Sequence, residues 1–380
     1  MLDGVGIGPA PDTVAYGDGG SDTLGNVARA VGGLRLPNLE RLGLGRCRPI
    51  PGLSPGLRPT AAHGVALPRS QGKDSTTGHW EICGVLLDEA FRTYPQGFPE
   101  DIIREFARRT GRGVIGNKAA SGTAIIAELG EEHQRTGKWI VYTSADSVFQ
   151  VAAHEATVPL EELYEACRMA RELLVGEHAV SRVIARPFVG RPGAYARTPN
   201  RRDFSIEPVG TTLLDRLAAA GIPRVGIGKV DDLFAGRHIA SEHTPTNADA
   251  YRMIEQALAR VETGFIFVNV IEFDQSWGHR NDVAGFHEGL RELDAWLPRL
   301  EQRLRDEDLV IVTADHGNDP TTPSTDHSRE AVPILVLGPR VRAAALGERG
   351  TFADMGATIA EYFEVAPLAA GTSFLKEVRG

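Results

Sequence analysis

Two stretches of this chain set carboxylates beside imidazoles at the ends of apolar runs. Residues 308–327 read DLVIVTADHGNDPTTPSTDH. The run 309–312 is apolar and β-branched, as a buried strand is, and it gives way at once to Asp315 and His316. A loop rich in Pro, Thr and Ser then delivers Asp326 and His327. Residues 264–273, GFIFVNVIEF, repeat the plan: a second buried strand, Asp274 at its tip and His279 in the following turn. In open parallel sheets, chemistry gathers beyond the C-terminal strand ends. Oxygen and imidazole groups there are what divalent metals take. Asp274, His279, Asp315, His316 and His327 make five candidate ligands, more than one tetrahedral ion needs and suited to two ions sharing a cleft. The plainer alternative for the 308–327 stretch by itself is an Asp–His hydrogen bond that orients a loop.

A third stretch offers a nucleophile. Residues 71–83, QGKDSTTGHWEIC, place Ser75, Thr76 and Thr77 between Lys73-Asp74 and Gly78-His79. If a helix opens here, Asp74 or Ser75 caps it and the free N–H groups face an anion. A hydroxyl in that place becomes a nucleophile when a metal lowers its pKa. The alternative is a plain capping turn. The glycine loop Gly4-Val5-Gly6-Ile7-Gly8 follows Asp3 but departs from the dinucleotide pattern, because Pro9 comes next. An aspartate before a glycine turn usually ends a strand, yet only two residues precede Asp3. The expectation is that the native chain starts upstream of Met1. The intact mass of the native protein checks this, and a mass matching a Met1 start removes it.

These side chains need a scaffold. From about residue 212 helices and strands alternate: helix 212–220, strand 225–227, helix 248–261, the strand to Asp274, an amphipathic helix through Phe286, Leu290, Leu293, Leu297, Leu300 and Leu304 with Pro298 inside it, the strand to Asp315, strand 332–337, and a helix 351–363 with Asp354 set for a capping box. Such alternation argues an α/β fold with a mostly parallel sheet. Residues 43–70 read as long irregular surface with room for short strands. From about residue 94 the pattern changes: helix 101–110, a Gly-, Lys- and Ser-rich loop 113–123, strand 139–143, a helix opening at Pro159, and strand 183–185. We therefore read residues 1–90 and 212–380 as a core, with 91–211 as a smaller inserted α/β domain.

Length and charge bound the rest. With 380 residues the chain is long enough for two domains. A net charge of -9 argues against a general nucleic-acid binder, which carries a basic stripe. No run reaches membrane-spanning length, and the start has no signal-peptide pattern. Cys47, Cys83 and Cys167 are scattered, as in a reducing cytosol. The reading is cytoplasmic, with no nucleic-acid and no membrane partner. The sequence leaves the oligomeric state open.

Together the motifs LDGVGIG, GKDSTTGHWE, GNKAASGT, YTSADSVFQ, ARPFVG, GIGKVDDLFAG, FDQSWGHR and TADHGNDPTTPSTDHSRE span nearly the whole chain. They resemble the alkaline phosphatase superfamily and, within it, the phosphopentomutase family. The resemblance implies an α/β core with an inserted cap and an activity that interconverts ribose or deoxyribose 1-phosphate and 5-phosphate through a phosphorylated enzyme and a 1,5-bisphosphate. It implies two divalent ions, usually Mn2+, and a sugar bisphosphate as activator. Asp274, His279 and His327 would hold one ion, and Asp3, Asp315 and His316 the other, with the nucleophile bridging. The nucleophile position falls on Ser75, where the family usually has threonine; Thr76 is the runner-up. The cap motifs imply Ser144 and Asp146 on the sugar hydroxyls, and Arg186 and Lys229 on the phosphate or between cap and core. A metal-dependent phosphatase or phosphoglycerate mutase of the same superfamily, and a non-catalytic sugar-phosphate-binding relative, are the competing readings.

Overall fold

The strands, in chain order, are β1 (Ala62–Ala66), β2 (Val114–Ala119), β3 (Trp139–Thr143), β4 (Val148–His154), β5 (Arg182–Val189), β6 (Ala196–Arg197), β7 (Arg202–Ser205), β8 (Arg224–Ile227), β9 (Ser241–Glu242), β10 (Phe265–Val268), β11 (Val310–Val312), β12 (Val332–Leu337) and β13 (Ala345–Arg349). They come from a computed structural model that describes residues 1–144 and 147–379. The chain divides into two units, Met1–Ala90 with Pro208–Gly380, and Phe91–Glu207. The return to the first unit thus falls at Pro208.

The first unit carries two sheets, β11-β12-β1-β13 and β10-β8-β9. The smaller is parallel throughout. In the larger, β12 runs antiparallel to both β1 and β11, while β1 and β13 are parallel. The α/β class therefore stands with mixed sheets. Residues 1–3 lie between the two. Leu2 N donates to Thr313 O at 2.7 Å, Asp3 N to Val270 O at 3.2 Å, and Val270 N to Met1 O at 2.9 Å. Leu2, although next to the start, is bonded on both sides and buried. Away from these residues, β10 and β11 each end their own sheet. Between them runs a groove of about 620 Å³, lined by Ile266, Val268, Ile311, Trp296 and Ile359 among others. This explains a difference from the sequence reading. Both strands are apolar enough to be buried on each face, yet most of their residues are only half-buried.

Helix Val283–Glu301 buries Phe286, Leu290, Leu293, Leu297 and Leu300. Burying each such side chain contributes about 1.5–3 kcal/mol. Pro298 lies inside this helix. Cys83 and Cys167 are buried and Cys47 partly so, and burial pushes all three thiols up.

The second unit is one sheet, β2-β3-β4-β5-β6, with β7 on β5. Its core gathers Phe98, Phe106, Trp139, Phe149 and Leu163.

Several elements differ from the expectations. The stretch 43–70, read as irregular surface with room for short strands, contains one, β1, but it is fully buried and lies inside the larger sheet. Gly64 within it admits the neighbouring strand; a Cβ there would sit 2.6 Å from Gly347 O. The supposed loop 113–123 is β2 followed by a helix, Gly122–Thr136, capped by Ser121. The strand before Asp274 stops at Val268, and Asp274 sits in a wide helical turn, Phe273–Trp277. Asp354 forms no capping box: its carboxylate accepts from Arg349 Nε and Thr372 N, both at 2.7 Å.

Candidate metal and phosphoryl-transfer site

Helix Ser75–Ile82 opens on Asp74, whose extended backbone and carboxylate cap it. Asp74 accepts from Thr77 N at 3.1 Å and from Thr77 Oγ1 at 2.6 Å. This commits the Thr77 hydroxyl and leaves Ser75 as the first helical residue. Ser75 Oγ lies 3.0 Å from His316 Nε2 and donates to Asp3 Oδ1 at 3.4 Å. The helix packs tightly against the loop after β11. A Cβ on Gly78 would come 2.2 Å from Asp315 O, so no other residue allows this approach. Gly4 does the same for the first loop, with φ +75 and a Cβ position 3.0 Å from Asn318 Cβ.

Around Ser75 the candidate ligands assemble in two overlapping sets. One ligand atom from each of Asp3, Asp315 and His316 lies within 4.8 Å of the others, and so do Asp274, His316 and His327. His279 Nε2 is 3.2 Å from Asp274 Oδ2, and His327 Nε2 is 3.2 Å from Asp274 Oδ1. The sequence reading groups His279 with Asp274 and His327; the geometry adds His316 beside that pair. His316 Nδ1 lies 3.0 Å from Gly317 O and His279 Nδ1 lies 2.6 Å from Thr325 O. Backbone carbonyls that take the Nδ1 protons leave a lone pair on each Nε2, turned toward the carboxylates where a cation would sit, the second-shell pattern of metal-ligating imidazoles. Asn318, which the sequence reading passes over, donates to Asp274 Oδ1 at 2.7 Å.

The residues present fit divalent cations. Asp315 Oδ2 is buried and accepts no hydrogen bond from the described residues. His79 Nδ1 is 3.1 Å from it, but that nitrogen's proton has the Ser75 carbonyl at 2.9 Å. A buried carboxylate oxygen without a donor is costly unless a cation meets it. Charges point the same way. Burial, then Asp315 and Asp274, pushes Asp3 above the usual carboxylate range. Burial also pushes on Asp274, but His327 and His279 hold it well below that range. Burial raises Asp315 in turn, and His316 and His79 outweigh it and bring it down. Burial lowers His316, but Asp315 and Asp3 hold it well above its ordinary value. The cluster is short of positive charge.

The second-unit candidates are placed as follows. Ser144 directly follows β3 and is half-buried. Asp146 lies outside the described residues. Arg186 sits on β5 and donates from Nε to Gln150 Oε1 at 3.1 Å; burial and Arg201 pull its guanidinium below the usual arginine value. Lys229, in the first unit after β8, donates to Gln275, the neighbour of Asp274 in sequence.

Glu330 is a buried group with no signal in the sequence, because its partners other than Ser328 are far along the chain. It accepts from Gly8 N at 3.1 Å, Thr23 N at 2.9 Å, Thr23 Oγ1 at 2.7 Å and Ser328 Oγ at 2.7 Å. It thereby joins the glycine loop to the His327 loop. Burial nevertheless pushes it up to about 7 from 4.5. The folded state then keeps a proton that the unfolded chain has lost, so stability falls as pH rises from about 4.5 to about 7, by about 3 kcal/mol in all. Glu330→Gln should flatten this decline; melts between pH 5 and pH 7.5 check it, and an unchanged slope would assign the decline elsewhere.

Comparisons with known proteins identify the family. A family model described as the metalloenzyme superfamily matches residues 1–367. The phosphopentomutase of Anaeromyxobacter sp. (strain K) is 59% identical over 380 residues, covering 100% of this chain and 97% of its own length. That of Carboxydothermus hydrogenoformans is 55% identical over 381 residues, covering 100% and 98%. A solved phosphoglycerate mutase of Leishmania mexicana matches 98% of this chain and 96% of its own at 14% identity and a TM-score of 0.49. The chain belongs to the metalloenzyme superfamily and, within it, to the phosphopentomutase family.

Proposed function

We propose that the chain moves a phosphoryl group between O1 and O5 of ribose or deoxyribose, with Ser75 as the nucleophile and a pentose 1,5-bisphosphate as the intermediate. The observation that carries this is Ser75 Oγ at a helix N-terminus, 3.0 Å from His316 Nε2 and 3.4 Å from Asp3 Oδ1. The relatives, phosphopentomutases by name, support the substrate class. When bound, two divalent ions would supply charge neutralisation at the phosphoryl oxygens and would lower the pKa of the Ser75 hydroxyl. Asp274, His279 and His327 would hold one, and Asp3, Asp315, His316 and Ser75 the other. Manganese suits this mixed carboxylate and imidazole set.

The cycle starts from phosphorylated Ser75. The bond from phosphorus to Ser75 Oγ breaks, and a bond from phosphorus to the free O1 or O5 of the pentose phosphate forms. The hydroxyl proton of the sugar replaces the phosphoryl group on Ser75 Oγ. The bisphosphate then presents its other phosphate, and the same exchange runs backwards. No water is consumed. The remaining N–H groups at the start of the Ser75 helix would meet the transferring oxygens. The transition state needs little covalent help, so positioning and charge carry most of the work. A sugar bisphosphate in catalytic amount would load Ser75. By their motifs, Ser144, Asp146, Arg186 and Lys229 are proposed to contact the sugar or its phosphate, with the second unit serving as the cap.

The test is peptide mass spectrometry after incubation with manganese and a trace of sugar bisphosphate, followed by ribose 5-phosphate turnover. A phosphate on Ser75 in the peptide 73–79, with turnover, is the expected result. A phosphate that hydrolyses without sugar product would make the protein a phosphatase. No phosphate on a metal-loaded, folded protein would overturn a catalytic role. In the same assays His279→Ala should carry one ion per chain where the parent carries two; an unchanged count by elemental analysis would remove His279 from the ligand set.

A further inference from the structure

Arg329 lies two residues after His327, and its side chain is only 2% exposed. A buried guanidinium is costly unless its donors are met. Here all five N–H groups are used. Nε and Nη2 clasp the Asp12 carboxylate at 3.1 and 3.0 Å. Nη2 also donates to Pro68 O at 2.9 Å, and Nη1 to Ser70 O and Gly72 O, both at 2.6 Å. The guanidinium carbon lies 4.7 Å from the Tyr16 ring centroid, and the Tyr16 hydroxyl accepts from Gly72 N at 3.2 Å. The three carbonyls belong to alternate residues of the segment that runs into Asp74 and Ser75. Next along that segment, Lys73 Nζ bridges Asp18 at 2.9 Å and Asp326 at 3.1 Å. Thus the approach to Ser75 is held from the loop that carries His327, and Arg329 supplies three of the bonds.

We propose that Arg329 is a positioning residue for Ser75: its planar fork fixes residues 68–72, so that the hydroxyl is kept against Asp3 and His316 through each exchange. This rests on Ser75 being the nucleophile. The guanidinium faces backbone and Asp12, so the effect is on placement and not on substrate affinity. Lysine keeps the charge but cannot reach three carbonyls and a carboxylate in one plane.

The experiment compares Arg329→Lys, Arg329→Ala and Asp12→Asn with the parent and with Ser75→Ala. Metal content, melting temperature, kcat and KM for ribose 5-phosphate are measured for each. Arg329→Lys should lose about a hundredfold in kcat with KM and metal content unchanged, since small misplacements of reacting groups cost that much. Asp12→Asn should show a smaller loss of the same kind. Guanidinium ion added to Arg329→Ala should raise kcat saturably and do nothing for Ser75→Ala. Parental kcat in Arg329→Lys overturns the proposal. So does a loss in Arg329→Ala that follows the unfolded fraction and ignores guanidinium. If Ser75→Ala still turns over, it is the nucleophile reading that fails; if Ser75→Ala is dead and Arg329→Lys is fully active, only the present inference fails.

Discussion

Ser75→Ala is expected to lose ribose 5-phosphate turnover by about 10⁴-fold or more, the scale seen when a nucleophile is removed from an otherwise intact site. The protein should stay folded, because the cap of the helix is Asp74 and its bonds go to Thr77. Metal binding should weaken but persist, since Asp3, Asp315 and His316 remain together. Ser75→Thr is the informative companion. It keeps the hydroxyl and adds a methyl group at a half-buried position, so it should retain activity. Turnover within tenfold of the parent in Ser75→Ala would move the nucleophile to Thr76, because Thr77 Oγ1 is already bonded to Asp74 at 2.6 Å.

The second large effect is removal of divalent ions. A chelator should abolish turnover and lower the melting temperature, and manganese should restore both. An ion present at a hundred times its dissociation constant adds about 2.7 kcal/mol of stability. The direction in Asp3→Asn distinguishes this from a general salt effect. Ionised Asp3 is unfavourable in the metal-free fold, because burial, Asp315 and Asp274 all push its carboxyl up. Neutral Asn should therefore make the metal-free protein more stable at pH 8, while turnover and part of the response to manganese are lost. An Asp3→Asn protein that melts lower without metal, and still rises with manganese as the parent does, would remove Asp3 from the site. Differential scanning calorimetry with and without manganese reads both quantities.

Much of the candidate site was legible because its residues stand where apolar runs stop. Asp315 and His316 follow β11 within four residues of its end, and the hydroxyl run follows a residue that can cap a helix. What holds these groups was not legible. Asn318, Glu330 and Arg329 act on partners tens to hundreds of positions away, and no local spacing announces that. The missed elements have local causes. In β2, Gly116 and Asn117 take positive φ and the register shifts between Gly116 and Lys118, which breaks the alternation that marks a strand. In β1, Gly64 interrupts a short run, although the residue is there so that β13 can come close. Asp354 matched a capping pattern by position, but Arg349 and Thr372 hold its carboxylate.

The two candidate ligand sets have one member in common, His316. On the assignments proposed above, His316 holds one ion while standing beside Asp274 and His327, which hold the other, so the two ions are not independent. Whatever factor the first to bind applies to the affinity of the second, the second applies to the first, because coupling free energy is reciprocal. A titration with manganese should then depart from the curve of two separate sites, and exchange of one metal species should alter the off-rate of the other. Metal selection would then be a property of the pair.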